Sequence, residues 1–239
     1  MVDEVFRKEA LMENAYLSPA LLSISLFEGL EPVAVAAFLK EARCRLDSFP
    51  RGAILLSQGD SVTAAGVLLS GRIKAYRLDR QGEEHLQSVM GPGGMFGDVL
   101  MATDKGKSPV TVECTEDARV LFVPFDSIMA APGDFGNRLR INLLHELSAR
   151  YWALSRKVRY LSERSLRGRV ALFLLDAAHD QGGLTFTLSM TREAMASLLG
   201  VNRSALSREL SRMEKDGLLA VYRGSFRLLD RAGLESCIG

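Results

Sequence analysis

Residues 191–219 read TREAMASLLGVNRSALSRELSRMEKDGLL, the most informative part of the chain. The stretch has the pattern of a helix-turn-helix whose polar residues sit where a DNA major groove would lie. Thr191 is placed to cap a first helix in which Ala194, Met195 and Leu198 are expected to share one apolar face. Gly200 supplies the left-handed residue that ends it, and Asn202 is a natural cap for the second helix. Along that second helix Leu206, Leu210 and Met213 recur at helical spacing and should pack inward. Ser204, Ser207, Arg208 and Ser211 then take the opposite side, with Arg203 at its edge. Such a face suits base readout, since a bidentate Arg matches the two acceptors of guanine and Ser hydroxyls serve base or phosphate. Arg203 and Arg208 are therefore the base-reading candidates. Thr191, Arg192, Asn202, Ser204 and Ser207 complete the surface, Arg192 through phosphate affinity. The alternative is an ordinary amphipathic helical hairpin with a solvated face.

The next residues of the chain favour the DNA-binding reading. Gly217-Leu218-Leu219 closes the second helix, and AVYRGSFRLL (220–229) reads as two strands turning at Arg223-Gly224. This wing adds Tyr222 to the candidate interface. The chain of 239 residues, 47% hydrophobic and 25% charged, is ample for two domains. A formal net charge of +1 gives no global affinity for nucleic acid, so DNA binding has to rest on local charge. Arg150, Arg156, Lys157, Arg159, Arg164, Arg167 and Arg169 supply such a concentration against Glu163 alone, although part of that run reads as a solvated helix face.

Neither a signal peptide nor an apolar run of ~20 residues stands out, so a cytoplasmic protein with no membrane partner is expected. Cys44, Cys114 and Cys237 lie far apart without Cys-x-x-Cys spacing, which argues against a disulfide framework, a zinc site or an iron-sulfur cluster. No nucleophile triad, Walker loop or metal-hydrolase motif is present, and an enzyme is not expected.

The first half has a different texture. After an amphipathic N-terminal helix and a second helical segment over 31–42, short β-branched runs succeed one another at 43–49, 53–57, 65–69, 72–78, 85–90, 110–113 and 120–123. Glycine-rich corners such as Gln58-Gly59-Asp60 and Gly91-Pro92-Gly93-Gly94 separate them, which predicts a small antiparallel β domain, a sandwich or barrel. From about Phe135 to Leu161 a helical pattern places Leu144, Leu147, Tyr151, Leu154, Val158 and Leu161 at alternating spacings of three and four. That is the seam of a coiled coil and predicts a homodimer, the alternative being a seam packed only on its own β domain. Another helix, 166–179, opens the C-terminal domain. The organisation expected is α+β: a β-roll domain over 1–133, a dimerisation helix over 134–162 and a winged helix-turn-helix over 163–239.

The stretch QGDSVTAAGVLLSGRIKAYRLDRQGEEHLQSVMGPGGMFGDV (58–99), with its Gly-Asp, Ser-Gly, Gly-Glu and Phe-Gly-Asp landmarks in order, resembles the cyclic-nucleotide-binding β-roll, or jelly roll, of the Crp/Fnr superfamily. The long helix and winged helix-turn-helix come after it as they do there, and RSALSREL (203–210) looks like the anaerobe-type members, among which stress regulators occur. The resemblance implies a one-component transcription factor: a β-roll that senses, helices that dimerise, and recognition helices that bind a two-fold symmetric operator and work with RNA polymerase. It also implies an effector site at Phe96, Gly97, Asp98, Val99, Leu100, Met101, Lys107, Ser108, Leu147 and Leu154.

Here the chain departs from the cyclic AMP receptor pattern. The positions corresponding to the ribose-binding Glu, the phosphate-binding Arg-Ser pair and the purine-reading Thr hold Asp98, the Lys107-Ser108-Pro109 region and Leu154. Lys lacks the planar fork that grips a phosphate, and Leu cannot hydrogen-bond to a base. Cyclic AMP is therefore disfavoured. Phe96, Val99, Leu100, Met101, Leu147 and Leu154 suit an apolar small molecule or haem, for which His145, His85, Cys114 and Met residues are the axial candidates, set against the reading of His145 as a solvated side chain. A cyclic-nucleotide-responsive regulator, or a regulatory module that does not bind DNA, are the competing readings.

Overall fold

The computed structural model describes residues 19–22, 24–79, 81–97 and 106–239. Two compact units divide the chain, Met1–Ala149 and Arg150–Gly239. The expected N-terminal amphipathic helix lies largely outside the described residues, which take up the chain at a short helix α1 (Pro19–Leu22).

Among the described residues of the first unit, helix α2 (Pro32–Glu41) precedes eight strands. They are β1 (Arg45–Phe49), β2 (Ile54–Leu56), β3 (Ala64–Ser70), β4 (Ile73–Leu78), β5 (Glu84–Met90), β6 (Met95–Phe96), β7 (Thr111–Cys114) and β8 (Ala118–Pro124). They form two antiparallel four-stranded sheets, ordered β1-β8-β3-β6 and β2-β7-β4-β5. Helices α3 (Phe125–Ala130) and α4 (Gly133–Ser162) come next. Alternation along β3 and β8 explains the layering. Leu68 and Val120 join Ile73, Ala75, Val112 and Cys114 in one buried cluster with residues of both sheets. Ala65, Val67, Leu69, Leu121 and Val123 face the other way and pack with Val35, Phe38 and Leu39 of α2 and Leu139 and Leu143 of α4. Asn142 of α4, itself buried, donates to the carbonyls of Leu26 and Glu28 at 3.0 and 2.8 Å, so the long helix is fixed by a satisfied polar group as well as by apolar contact.

Two glycines are dictated by close approach. A Cβ on Gly66 of β3 would lie 2.2 Å from the ring of Phe96, which crosses that position to meet Phe122 edge-on at 6.2 Å. Gly71, at φ +88°, turns β3 into β4 with its Cα facing the Asp117 carbonyl, 2.2 Å from where a Cβ would be.

The strand expected from residue 43 begins instead at Arg45, because Arg43 takes a left-handed conformation (φ +52°) that turns the chain out of α2. Strand β6 and helix α3 carry no sequence signal: two residues hold no periodicity, and α3 is under two turns long.

The second unit contains the last part of α4, α5 (Leu166–Asp180), β9 (Thr185–Thr187), α6 (Arg192–Leu198), α7 (Arg203–Lys215), β10 (Leu219–Tyr222), β11 (Ser225–Leu228) and α8 (Arg231–Ser236). Ser165 caps α5 by accepting from the Gly168 amide at 2.8 Å. The three strands form one antiparallel sheet, ordered β10-β11-β9. Strand β9 adds to the two expected wing strands; it is three residues long and is held by Phe186 stacking on Phe226. Val170, Leu174, Met195, Leu199, Leu206, Met213, Leu219, Phe226 and Leu234 share the core of this unit. Among the described residues no helix is long and apolar enough to cross a membrane.

Candidate functional site

Local chemistry sets the helix-turn-helix. Thr191 Oγ1 accepts from the Ala194 amide at 3.2 Å and Asn202 Oδ1 from the Ala205 amide at 2.8 Å, so each helix starts on a side-chain cap. Both end in the same way. At Gly200 (φ +67°) the Val201 amide bonds the Ala196 carbonyl and the Gly200 amide that of Ser197. At Gly217 (φ +77°) the Leu218 amide bonds the Met213 carbonyl and the Gly217 amide that of Glu214. These paired bonds are Schellman closures, and they fix the turn and the exit into the wing.

Leu206, Leu210 and Met213 are buried, and Arg203, Ser204, Ser207, Arg208 and Ser211 are exposed on α7. On α6 the expected phase needs correction. Ala194 is exposed and points away from the core, whereas Met195 is buried and Leu198 half-buried against the core as expected; Ala196 and, just beyond the helix end, Leu199 join them. In the wing Tyr222 pairs with Ser225 around Arg223-Gly224, with Arg223 at φ +54° and its guanidinium 5.4 Å from the ring of exposed Tyr222.

Arg192 sits differently from a free phosphate contact. Its guanidinium lies 4.7 Å over the Phe226 ring and Nη1 is 3.5 Å from Met195 Sδ, and burial lowers its pKa from the usual arginine range. The basic run is likewise largely engaged within the unit. Arg156 pairs with Asp180 and Arg159 with Asp176, Arg167 bridges Glu209 and Asp216 at 2.7 Å each, and Arg169 donates to the carbonyls of Glu163 and Leu199. These four arginines hold helices together, and the acids that take up three of them are distant in sequence. Residues 150–239 nevertheless carry 15 Lys and Arg against 9 Asp and Glu, whereas residues 1–149 carry 15 against 20, so the cationic excess belongs to the second unit.

At the expected effector positions, Asp98, Val99, Leu100 and Met101 lie outside the described residues. Phe96 is committed to the inter-sheet core, and Gly97 has φ +76°. Lys107 is exposed, and its backbone forms an isolated antiparallel bridge with that of Ser61. Ser108 is buried with its hydroxyl donated to the Val110 carbonyl at 2.6 Å, so it does not present a free donor to a phosphate. Leu147 is half-buried against the first unit's helix-side core, and Leu154 is exposed.

The haem candidates fit poorly among the described residues. His145 is exposed on α4, and His85 Nε2 lies 2.8 Å from Asp79 Oδ2, a contact that holds the Asp79 carboxyl below its usual range. Cys114 is fully buried in the sandwich and burial pushes its thiol up from the usual range; burial pushes the Cys44 thiol up to about 12. Cys237 bonds the Gly233 carbonyl. No cluster of three His, Cys, Asp or Glu that could hold a metal occurs among the described residues.

The face of α4 expected to dimerise is largely uncovered in the single chain. Leu144, Tyr151, Leu154, Val158 and Leu161 are all exposed, Leu154 by 62% and Val158 by 55%. Trp152, beside the seam, is exposed as well and falls outside the heptad pattern.

Two family models match the chain, a Crp-like helix-turn-helix domain over residues 168–237 and a cyclic nucleotide-binding domain over 46–131. Among similar proteins are a CRP-like cAMP-activated global transcriptional regulator of Mycobacterium tuberculosis, 28% identical over 90% of this chain and 94% of its own length, and the anaerobic regulatory protein of Haemophilus influenzae, 28% identical over 78% and 73%. Among solved structures the catabolite activator protein of Thermus thermophilus is 26% identical with a TM-score of 0.50, covering 89% of this chain and 97% of that one. The β-roll, the long helix, the winged helix-turn-helix and these matches agree: the chain belongs to the Crp/Fnr superfamily of DNA-binding transcriptional regulators, with a domain of the cyclic-nucleotide-binding type.

Proposed function

We propose that this chain is a one-component regulator that binds an inverted-repeat operator as a homodimer, with α7 of each protomer in successive major grooves about 34 Å apart. One observation carries the reading. Two side-chain caps and two Schellman glycines hold a helix whose inner face is Leu206, Leu210 and Met213 and whose exposed face is Arg203, Ser204, Ser207, Arg208 and Ser211. A regulatory module with no DNA partner has no need for that outer face. The signal we propose is a small molecule or a redox or nitrosative species acting where the β-roll meets the long helix; Lys107 without an arginine fork and the committed Ser108 hydroxyl weigh against cyclic AMP, and the exposed His145, the paired His85 and the buried Cys114 weigh against haem. RNA polymerase is the proposed protein partner.

Arg208→Ala tests the readout. Its binding should lose about 1–3 kcal/mol of discrimination at one base pair in each half-site and little elsewhere. Measured affinities for every single-base variant of the operator decide it, and wild-type ratios throughout would remove Arg208 from base reading.

A further inference from the structure

Glu193 is the second residue of α6 and Arg203 the first of α7, and each helix start is fixed by its own cap. Across the turn between them Arg203 Nη1 lies 3.0 Å from Glu193 Oε1, with both side chains well exposed, at 66% and 63%. An ion pair so open to water adds little to stability, and a carboxylate on this face works against the phosphates of DNA. Stability and affinity therefore give no reason for an acid here. Orientation does. Arg203 stands at the positive end of the α7 dipole, which disfavours a cation, and one anchored nitrogen offsets that while leaving the rest of the planar fork free. Arg208, deeper in the same helix, has no acid within ion-pair distance among the described residues, so the acid contact distinguishes Arg203 from the other base-reading candidate.

We propose that Glu193 is a specificity-determining positioning residue: it holds one edge of the Arg203 guanidinium, so that the other edge is presented to the two acceptors of a guanine, and its charge excludes a backbone phosphate as the competing partner of that arginine. The proposal rests on the DNA-binding reading above. It predicts an unusual pair of effects for Glu193→Gln, tighter binding to DNA in general and poorer choice between sequences.

The test takes a duplex enriched by the wild-type protein from a random-sequence pool, its single-base-pair variants and one unrelated duplex. Each is titrated by fluorescence anisotropy over a range of salt with the wild type, Glu193→Gln, Arg203→Ala and the double variant. Arg203→Ala identifies the base pair that Arg203 reads. At that pair Glu193→Gln should lose roughly fivefold or more in discrimination, within the ordinary range for one bidentate contact, while the pair flattened by Arg208→Ala keeps its wild-type ratio. Binding to the unrelated duplex should strengthen several-fold, with a log-log salt slope steeper by about one. The double variant should discriminate no worse than Arg203→Ala alone. Discrimination by Glu193→Gln within about twofold of wild type at the Arg203 base pair would overturn the assignment, since one good contact is worth more than that. An even loss at all base pairs, or wild-type preferences in Arg203→Ala, would also overturn it. If the wild type enriched no duplex at all, the DNA-binding reading itself would fall.

Discussion

A protein carrying Leu154→Glu and Val158→Glu will sediment as a monomer at concentrations where the wild type is a dimer, and its operator affinity will collapse. Both residues are exposed in the single chain, so the exchange leaves each unit's core intact. In a paired seam the four side chains of two protomers would be buried, each worth about 1.5–3 kcal/mol. Losing them costs roughly 6 kcal/mol or more of association energy before the repulsion of four carboxylates is counted, which is over ten-thousandfold in the dimer dissociation constant. Leu147 is the wrong residue for this experiment, because it packs partly on its own unit's core and its replacement would confound folding with assembly. Analytical ultracentrifugation with far-ultraviolet circular dichroism on the same samples separates the two. A double variant that stayed dimeric and bound operator normally would place the interface elsewhere.

The second large effect is expected from Arg167. Its guanidinium reaches Glu209 Oε1 and Asp216 Oδ2 at 2.7 Å each and so ties the first turn of α5 to the recognition helix. Glu209 is a buried carboxylate, and its other cationic contact, Arg212, is longer at 3.5 Å and itself exposed. Removing one partner of a buried pair typically costs 3–5 kcal/mol; with Arg167 a third exposed and Arg212 remaining, Arg167→Met should cost about 2–3 kcal/mol. For a unit of this size that corresponds to a fall of roughly 10 °C or more in melting temperature. Adding Glu209→Gln should restore most of it, because the lone charge is then gone. Calorimetry on the four proteins of that cycle measures the coupling, and a Glu209→Gln exchange that lowers stability further in the Arg167→Met background would show that the contact is not what holds α7.

Much of the helix-turn-helix is legible in the sequence because what fixes it is local. Thr191, Gly200, Asn202 and Gly217 act within one turn of their own positions, and Leu206, Leu210 and Met213 share a period that only a helix explains. The same holds for the β-roll strands, whose corners are marked by glycine. The features that sequence does not disclose depend on partners far along the chain. Arg156, Arg159 and Arg167 read as free positive charge until the fold brings Asp180, Asp176, Glu209 and Asp216 against them. Arg192 likewise turns from solvent onto Phe226, 34 positions away. Glu193, the third residue of the motif, gives no sign of a role by its chemistry, since an acid is out of place on a DNA-binding face; its spacing of ten from Arg203 across a tight turn is the available signal. The order of the two sheets, with β8 between β1 and β3, depends on pairings that no local pattern encodes.

DNA reading by a symmetric pair of α7 helices is tested by selecting duplexes from a random pool with the purified wild-type protein, and sequencing those retained. The enriched sites should be inverted repeats, with half-site centres about 10–10.5 base pairs or a whole number of helical turns apart, and with a guanine in each half that loses its preference in Arg208→Ala. Enrichment of asymmetric sites, of repeats at unrelated spacings, or of no sequence at all would contradict it.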